Sequence, residues 1–390
     1  MHLQTSFMKI AHISPEFYPA IGGVGQVVRE LALRQVKEGH EVHVFAPAWD
    51  KEKRIASGDE IIDGIYVHRF FYWFKAGNFG TFWPAVFPKL IKGKFDVIHS
   101  HLFAHAHFIF SAIAAKISGA KHIHTTHCPW SDAYRPLFGK ILMYLSYNVF
   151  SRIALRYTDK IILITPWEKE FISRYVSDNN KLVVISNGMS SIFFNKIKNN
   201  DFKKELKIKE PIVLFFGRLN PTKGPDKFVL AAKEILKERK NIKFLIVGPD
   251  EGMLNKVKEL SKDEKNIIIL DPIRNKEKIA KMYQSSNVFV LPSYREGLPL
   301  CLFEALASGL PIVASPVNGI PFEISDPENG FFVEYGDIQK LKEKILLLLD
   351  DKKLARKISK NNKEKAKNYD WDIIAERTLN LYKKIINKNL

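Results

Sequence analysis

The chain has 390 residues, 46% of them hydrophobic, an ordinary figure for a globular protein and enough length for two domains with separate cores. No apolar run approaches the ~18 residues of a membrane span, no secretory signal pattern is visible, and the two cysteines, Cys128 and Cys301, lie too far apart in sequence to suggest a disulfide framework. A reducing cytoplasm is the expected setting. The 60 basic against 42 acidic residues give a net charge of +18, spread over both halves, which favours anionic partners without naming one. Lysines interleaved with glutamates on helix faces, as in Lys340-Leu-Lys-Glu-Lys, account for it equally well, and no nucleic-acid module is recognisable.

In chain order, a loose extension of seven residues precedes a strand at Lys9-Ile-Ala-His-Ile. Ile21-Gly-Gly-Val-Gly then leads into a helix with apolar residues at 24, 27, 28 and 31. Gly22 and Gly23 leave bare amides that a ligand can approach, although the third glycine of a dinucleotide fingerprint is missing. A strand at Glu41-Val-His-Val-Phe-Ala opens a long excursion from Trp49 to Lys94. Within it, the stretch 69–94 interleaves aromatics (Phe71, Trp73, Phe74, Phe79, Phe82, Trp83, Phe87) with Lys75, Lys89, Lys92 and Lys94, a pattern that suits an anionic membrane interface. The preferred reading is a strand and a core-packed helix with its lysines outside, since large aromatics are buried more often than not.

Phe95-Asp-Val-Ile-His-Ser-His is another strand, an Ala- and His-rich helix follows, and Lys121-His-Ile-His-Thr-Thr-His makes a strand ending at His127. Seven histidines between His99 and His127 are spread over strands and helix without compact ligand spacing or partnering carboxylates, so no metal is expected. Leu137 to Tyr157 reads as a helix with Lys140, Arg152 and Arg156 beside bulky apolar residues, and packing on the sheet is preferred to a surface-seeking role. Strands at Asp159–Thr165 and Lys181–Ile185 lead to an Asn187-Gly188 turn, and the Lys- and Asn-rich run from Asn195 to Lys209 reads as a linker.

The second half restarts the pattern. Pro211-Ile-Val-Leu-Phe-Phe-Gly-Arg-Leu-Asn-Pro-Thr-Lys-Gly-Pro is strand, loop and helix start, with Arg218 as a two-pronged cation and Lys223 as a point charge. Strands at Asn241–Val247 and Asn266–Leu270 follow, then Val288-Phe-Val-Leu-Pro, a loop, a helix from about Leu300 to Ser308 with Pro299 in its first turn, a stop at Gly309, and a strand. Glu296 falls just past the strand's carboxyl end, where open α/β sheets hold ligands, and Glu304 lies in a helix whose start favours an anion. Amides for a phosphate and carboxylates for hydroxyls suit a nucleotide-sugar.

The run Pro292-Ser-Tyr-Arg-Glu-Gly-Leu-Pro-Leu, with Glu304 eight residues beyond Glu296, resembles the Glu-x7-Glu element of retaining glycosyltransferases of family 4, and the likeness covers nearly the whole chain. It implies an α/β fold of the GT-B class, two Rossmann-like domains facing across a cleft. Residues 1–195 would hold the acceptor, with a C-terminal helix, 370–390, crossing back onto them, and 196–369 would bind the nucleotide-sugar. The implied reaction moves a hexosyl unit, with retention, from a UDP- or GDP-linked donor to a hydroxyl of a lipid-linked, glycan or small-molecule acceptor. The cytoplasm or its inner membrane surface is the implied location, with peripheral contact to an anionic membrane as the partner that 69–94 raises, no nucleic acid, and no cofactor or metal.

By the same resemblance, His127 lies beside the transferred sugar and Glu296 contacts it. Arg218 and Lys223 bind the diphosphate, whose growing charge they stabilise. Gly22 and Gly23 face the donor phosphate and the acceptor. Ile273 and Arg274 face the nucleobase. Gly297, Leu298, Pro299 and Leu300 line the donor at the helix start, and Glu304 holds the ribose. Val317-Asn-Gly-Ile-Pro-Phe-Glu departs from the family's Gly-Gly-Ile-Pro-Glu by the extra Phe322, which leaves the role of Glu323 open. Paired carboxylates alone would also suit a glycoside hydrolase, and the basic charge a non-catalytic nucleotide-sugar or polyanion binder.

Overall fold

A computed structural model describes residues 7–20, 22–50, 53–75, 80–127, 137–198 and 200–387. Two compact units divide it, one running to Asn187 and taking up the chain again from Trp371, the other spanning Gly188–Asp370.

The first unit is built on an eight-stranded sheet. Its order is Leu182–Val184, Lys160–Leu163, Lys121–Thr125, Val97–His101, Lys9–Ile13, Glu41–Pro47, Ile65–Phe70 and Gly58–Ile62. Only the last pair is antiparallel, closed by Asp63 and Gly64 at φ 51° and 80°, the left-handed pair that a two-residue hairpin needs. The chain adds Glu41–Pro47 on one side of Lys9–Ile13, then returns to place Val97–His101 on the other, so order reverses between these two strands. Helices cover the sheet: Val27 and Leu31 of Gly23–Lys37 pack with Trp371, Ile374 and Tyr382 of the closing helix Trp371–Asn387, over Ile10 and Val97.

The second unit is a six-stranded parallel sheet in the order Ile267–Leu270, Lys243–Val247, Ile212–Phe216, Val288–Leu291, Ile312–Ala314 and Gly330–Phe332. Its strands are apolar runs with few polar interruptions, as strands covered on both faces must be. Here order reverses between Ile212–Phe216 and Val288–Leu291.

Several expectations change. The run Asn195–Lys209 is no linker but part of the second unit. Phe202 and Ile208 are buried, and Gln284 bonds both the Ile197 amide (3.0 Å) and the Asn195 carbonyl (2.8 Å). Two apolar anchors among many lysines hid that packing. In the excursion, Trp83, Val86 and Leu90 enter the core as expected, whereas Phe71, Trp73 and Phe74 stand 54–63% exposed, with the Arg54 guanidinium over Phe71 and Tyr72. Phe79 lies outside the described residues. Leu137–Arg156 is helical, with a π-helical turn at Ser146–Phe150. Among its residues whose burial is described, Ser151, Ala154 and Leu155 are buried and Tyr147 packs against the core, while Leu137, Ile141, Tyr144, Val149 and Ile153 are exposed, so sheet packing is half its role. Cys128 and the N-terminal extension up to residue 6 lie outside the described residues.

Candidate active site

In open α/β sheets ligands gather where strand order reverses, because the loops leaving two neighbouring strands diverge there and open a crevice. In the second unit those loops are 217–224 and 292–299. The Asn220 side-chain oxygen accepts from the Lys223 amide (3.2 Å) and the Thr222 hydroxyl (2.8 Å), folding the first loop into a tight turn. Thr222 in turn accepts from the amides of Tyr294 (2.8 Å) and Arg295 (3.3 Å). Gly224 has φ +64°, and a Cβ there would fall 2.1 Å from the Pro292 carbonyl oxygen, so only glycine lets the two loops close up.

The result is a buried ion pair. Lys223 Nζ lies 2.6 Å from each carboxylate oxygen of Glu296, and Ser293 Oγ donates to Oε1 at 2.7 Å. Lys223 and Glu296 are only 8% and 7% exposed. Sequence reasoning gave these two residues separate tasks; the structure joins them. Arg218 stands apart, its side chain 55% exposed, with Nη1 donating to both oxygens of Glu251 at 3.1 and 3.0 Å. Asn220 Nδ2 donates to the same carboxylate at 2.9 Å. Glu251 has a signal readable in the sequence, an acid just beyond the carboxyl end of Lys243–Val247.

The helix Leu300–Ala307 starts after Pro299, which caps it in extended conformation rather than entering its first turn, and stops at Gly309 with φ +73°. Gly297 and the buried Leu298 bridge Glu296 to that cap. Within the helix Glu304 accepts from the Tyr283 hydroxyl at 3.1 Å, and the same hydroxyl donates to the Cys301 carbonyl at 3.3 Å. Burial pushes the Glu304 carboxyl up to about 7, against the Tyr283 hydrogen bond and the positive field of Lys276. The 271–275 loop leaves the strand Ile267–Leu270 at its carboxyl end. Within this loop Ile273 is half-buried and Arg274 exposed, and no hydrogen bond among the described residues ties either side chain to the site. Glu323 is buried against the Tyr369 hydroxyl, a structural anchor at the unit's end.

The first unit repeats the geometry at its own reversal point. Gly22 caps the helix Gly23–Lys37, and a Cβ there would fall 1.6 Å from Glu16 Oε1; the space beside Gly23 is open. The amide of Gly25 reaches Glu16 Oε1 at 3.4 Å. The protein's own carboxylate thus sits where the sequence suggested a ligand phosphate. His12 ends up beside Val97–His101, and His127 follows Lys121–Thr125 with φ +59°, joined by Leu102 and Ala104 at φ 74° and 65°. Three left-handed, non-glycine residues at neighbouring strand ends hold strain of the kind that collects at functional sites.

Behind His127 runs a line of buried rings: His127 Nε2 to His101 Nδ1 (3.1 Å), His101 Nε2 to His12 Nδ1 (3.0 Å), and His12 Nε2 to Gln35 Oε1 (2.7 Å). His99 bonds the Tyr382 hydroxyl (2.5 Å) and Thr125 Oγ1 (2.7 Å). Burial holds His12 down to about 4 and His127 to about 3. Contrary to the spacing argument, His12, His99 and His101 do converge, with ring nitrogens within 4.8 Å of one another. All six of those nitrogens already have protein partners. His124, two residues before Thr126, is buried and stacked on Phe108.

A parallel α/β sheet with a buried Lys–Glu pair and further charged side chains at its reversal point is the architecture in which open α/β enzymes hold their ligands. The chain matches the family described as Glycosyltransferase Family 4 over residues 21–191 and Glycosyl transferases group 1 over 196–365. It is 31% identical over 295 residues to an Escherichia coli UDP-Gal:alpha-D-GlcNAc-diphosphoundecaprenol alpha-1,3-galactosyltransferase, covering 73% of this chain and 74% of that protein. It is 32% identical over 246 residues to the Campylobacter jejuni N,N'-diacetylbacillosaminyl-diphospho-undecaprenol alpha-1,3-N-acetylgalactosaminyltransferase, covering 61% and 64%. Among solved structures, a glycosyltransferase from Rickettsia africae superposes with a TM-score of 0.78 at 22% identity, covering 99% of this chain and all of that one. Anabaena HepE in complex with UDP gives 0.77 at 16%, covering 97% of this chain and 100% of that one. The chain therefore belongs to the family 4 (group 1) glycosyltransferases, and its fold is the GT-B class of two Rossmann-like domains.

Proposed function

We propose that the protein is a retaining glycosyltransferase that moves a hexosyl unit from a UDP- or GDP-linked donor to a hydroxyl of a lipid-linked acceptor without a metal ion. The observation that carries this reading is the buried Lys223–Glu296 pair at the reversal point. As the bond from the sugar's anomeric carbon to the diphosphate breaks, the electron pair leaves with the diphosphate. The Lys223 ammonium, backed by Arg218, meets that charge. Glu296 keeps lone pairs for the sugar hydroxyls, and Glu304 accepts from the ribose. The acceptor hydroxyl attacks on the face the leaving group vacates and gives its proton to a phosphate oxygen. His127, kept neutral by burial, stands beside the sugar as a hydrogen-bonding group.

Two observations favour a lipid-linked acceptor. The E. coli and C. jejuni relatives are named for diphosphoundecaprenol acceptors. The exposed apolar side of Leu137–Arg156, with Lys140, Arg152 and Arg156, suits an anionic lipid surface where such an acceptor resides. No helix among the described residues is long and apolar enough to cross a membrane, so contact would be peripheral.

A thermal-shift screen against UDP, GDP, ADP and their sugar conjugates tests the donor site. A ligand at 100 times its Kd adds about 2.7 kcal/mol to stability. A shift with one nucleotide, lost in Lys223→Met, is expected; no shift with any of them, together with no transfer, contradicts the reading. The anomeric configuration of the product, read by NMR coupling constants, decides retention.

A further inference from the structure

The ring chain behind His127 has a direction. A carbonyl oxygen only accepts, so His12 must carry its proton on Nε2 to bond Gln35 Oε1 at 2.7 Å. In a neutral ring that leaves Nδ1 of His12 as a lone pair, and His101 Nε2, 3.0 Å away, has to donate to it. His101 Nδ1 is then bare in turn, and His127 Nε2, at 3.1 Å, donates. Gln35 Nε2, the other end of that amide, is buried and makes no hydrogen bond among the described residues. Beside the line, the Tyr382 hydroxyl bonds His99 Nδ1 at 2.5 Å, and His99 Nε2 bonds Thr125 Oγ1 at 2.7 Å. Turning the Gln35 amide over would reverse every donor along the line at once. His12 and His101 are buried and His127 is half-buried, and desolvation holds all three below the ordinary imidazole value, so each keeps to the neutral form that this logic requires.

We propose that Gln35, His12 and His101 are positioning residues that hold His127 as its Nε2–H tautomer, so that Nδ1 presents a lone pair to a hydroxyl of the transferred sugar. Among the described residues no hydrogen bond occupies that Nδ1, which leaves it for a ligand. The tautomer does not depend on the reading of the reaction. The claim about the sugar hydroxyl rests on the function proposed above.

The test is nitrogen-15 NMR of the full-length protein with labelled histidine at pH 7.5, with His127 assigned by His127→Asn. The expected result is a protonated, pyrrole-like Nε2 and a bare, pyridine-like Nδ1 for His127. Gln35→Met removes the accepting carbonyl at nearly constant volume. It should move the Nδ1 signal toward the protonated range as the two tautomers equalise. Ser100→Ala, which removes a hydroxyl on the strand of His99 and His101 that bonds His122 and His124 of the next strand and lies off the chain, should leave it in place. A His127 found as Nδ1–H in the native protein, or unmoved by Gln35→Met, overturns the proposal. If Gln35→Met fails to fold, the native spectrum alone decides. In an assay with a donor found by the nucleotide screen, equalised tautomers should lower kcat about twofold while nucleotide affinity holds. A tautomer shift without a change in kcat would leave the positioning intact and remove His127 from the reaction.

Discussion

At the scale of single residues, the Lys223–Glu296 pair makes the sharpest demand. Removing one partner of a buried ion pair strands the other, at a typical cost of about 3–5 kcal/mol, whereas removing both is far cheaper. Lys223→Met or Glu296→Gln alone should therefore lower the melting temperature more than the double variant does, by calorimetry, and equal or additive losses would mean the pair is not the buried unit described. Glu304 gives a pH signature. Its carboxyl is raised to about 7, and the ionised form is the stronger acceptor for a ribose hydroxyl. Nucleotide affinity should thus rise from pH 6 to 8, by at most the roughly tenfold by which the ionised fraction grows, and become flat in Glu304→Gln. The sign for folding is opposite: a raised carboxyl costs nothing below its ordinary range and a growing amount as pH rises to about 7. Titration calorimetry separates the two.

At the scale of elements, loop closure over the reversal point depends on Gly224, with φ +64° and 2.1 Å between its virtual Cβ and the Pro292 oxygen. Gly224→Ala should cost more than the roughly 1–2 kcal/mol of a left-handed alanine, because the loops must also part, and should weaken nucleotide binding with it. Stability lost with binding intact would show that the loops need not touch. The exposed face of Leu137–Arg156 predicts sedimentation with vesicles of phosphatidylglycerol but not of phosphatidylcholine. The binding should weaken with salt and be abolished by Ile141→Glu with Val149→Glu. Loop positions at the strand ends were legible in the sequence, since a buried apolar run followed by Gly-Arg or Ser-Tyr-Arg-Glu marks where a strand stops. The helix at 137 was only half legible. A bulky stripe with three cations reads the same whether a sheet or a membrane covers it, and only the fold decides.

At the scale of the whole molecule, all twelve histidines fall within residues 1–127, none in the second unit. Burial holds His12 and His107 at about 4 and His122 and His127 at about 3, with His99, His101 and His124 also well below the ordinary value. A depressed histidine contributes stability that is complete above its unfolded value near 6.5 and is lost as pH falls toward the folded one, about 1.4 kcal/mol per pH unit for each group. Calorimetry from pH 7.5 to 5.5 should show the first unit's transition falling while the second holds; joint movement would contradict it. What the sequence concealed shares one cause. Lys223 meets Glu296 across 73 positions and His12 meets His101 across 89, through strand neighbours that only the order of the sheet creates. Glu16 lies close to Gly22 in sequence, yet nothing there says that its carboxylate turns back onto the helix start.

Transfer itself is the most direct test of the account. Labelled hexose from UDP- and GDP-sugars would be offered to the protein with membrane lipid extract, and label counted in the organic phase. The account predicts incorporation from one donor class without added metal, reduced about 10²-fold or more in Lys223→Met protein whose folding has been checked. No incorporation from any donor, or undiminished incorporation by that variant, would contradict it.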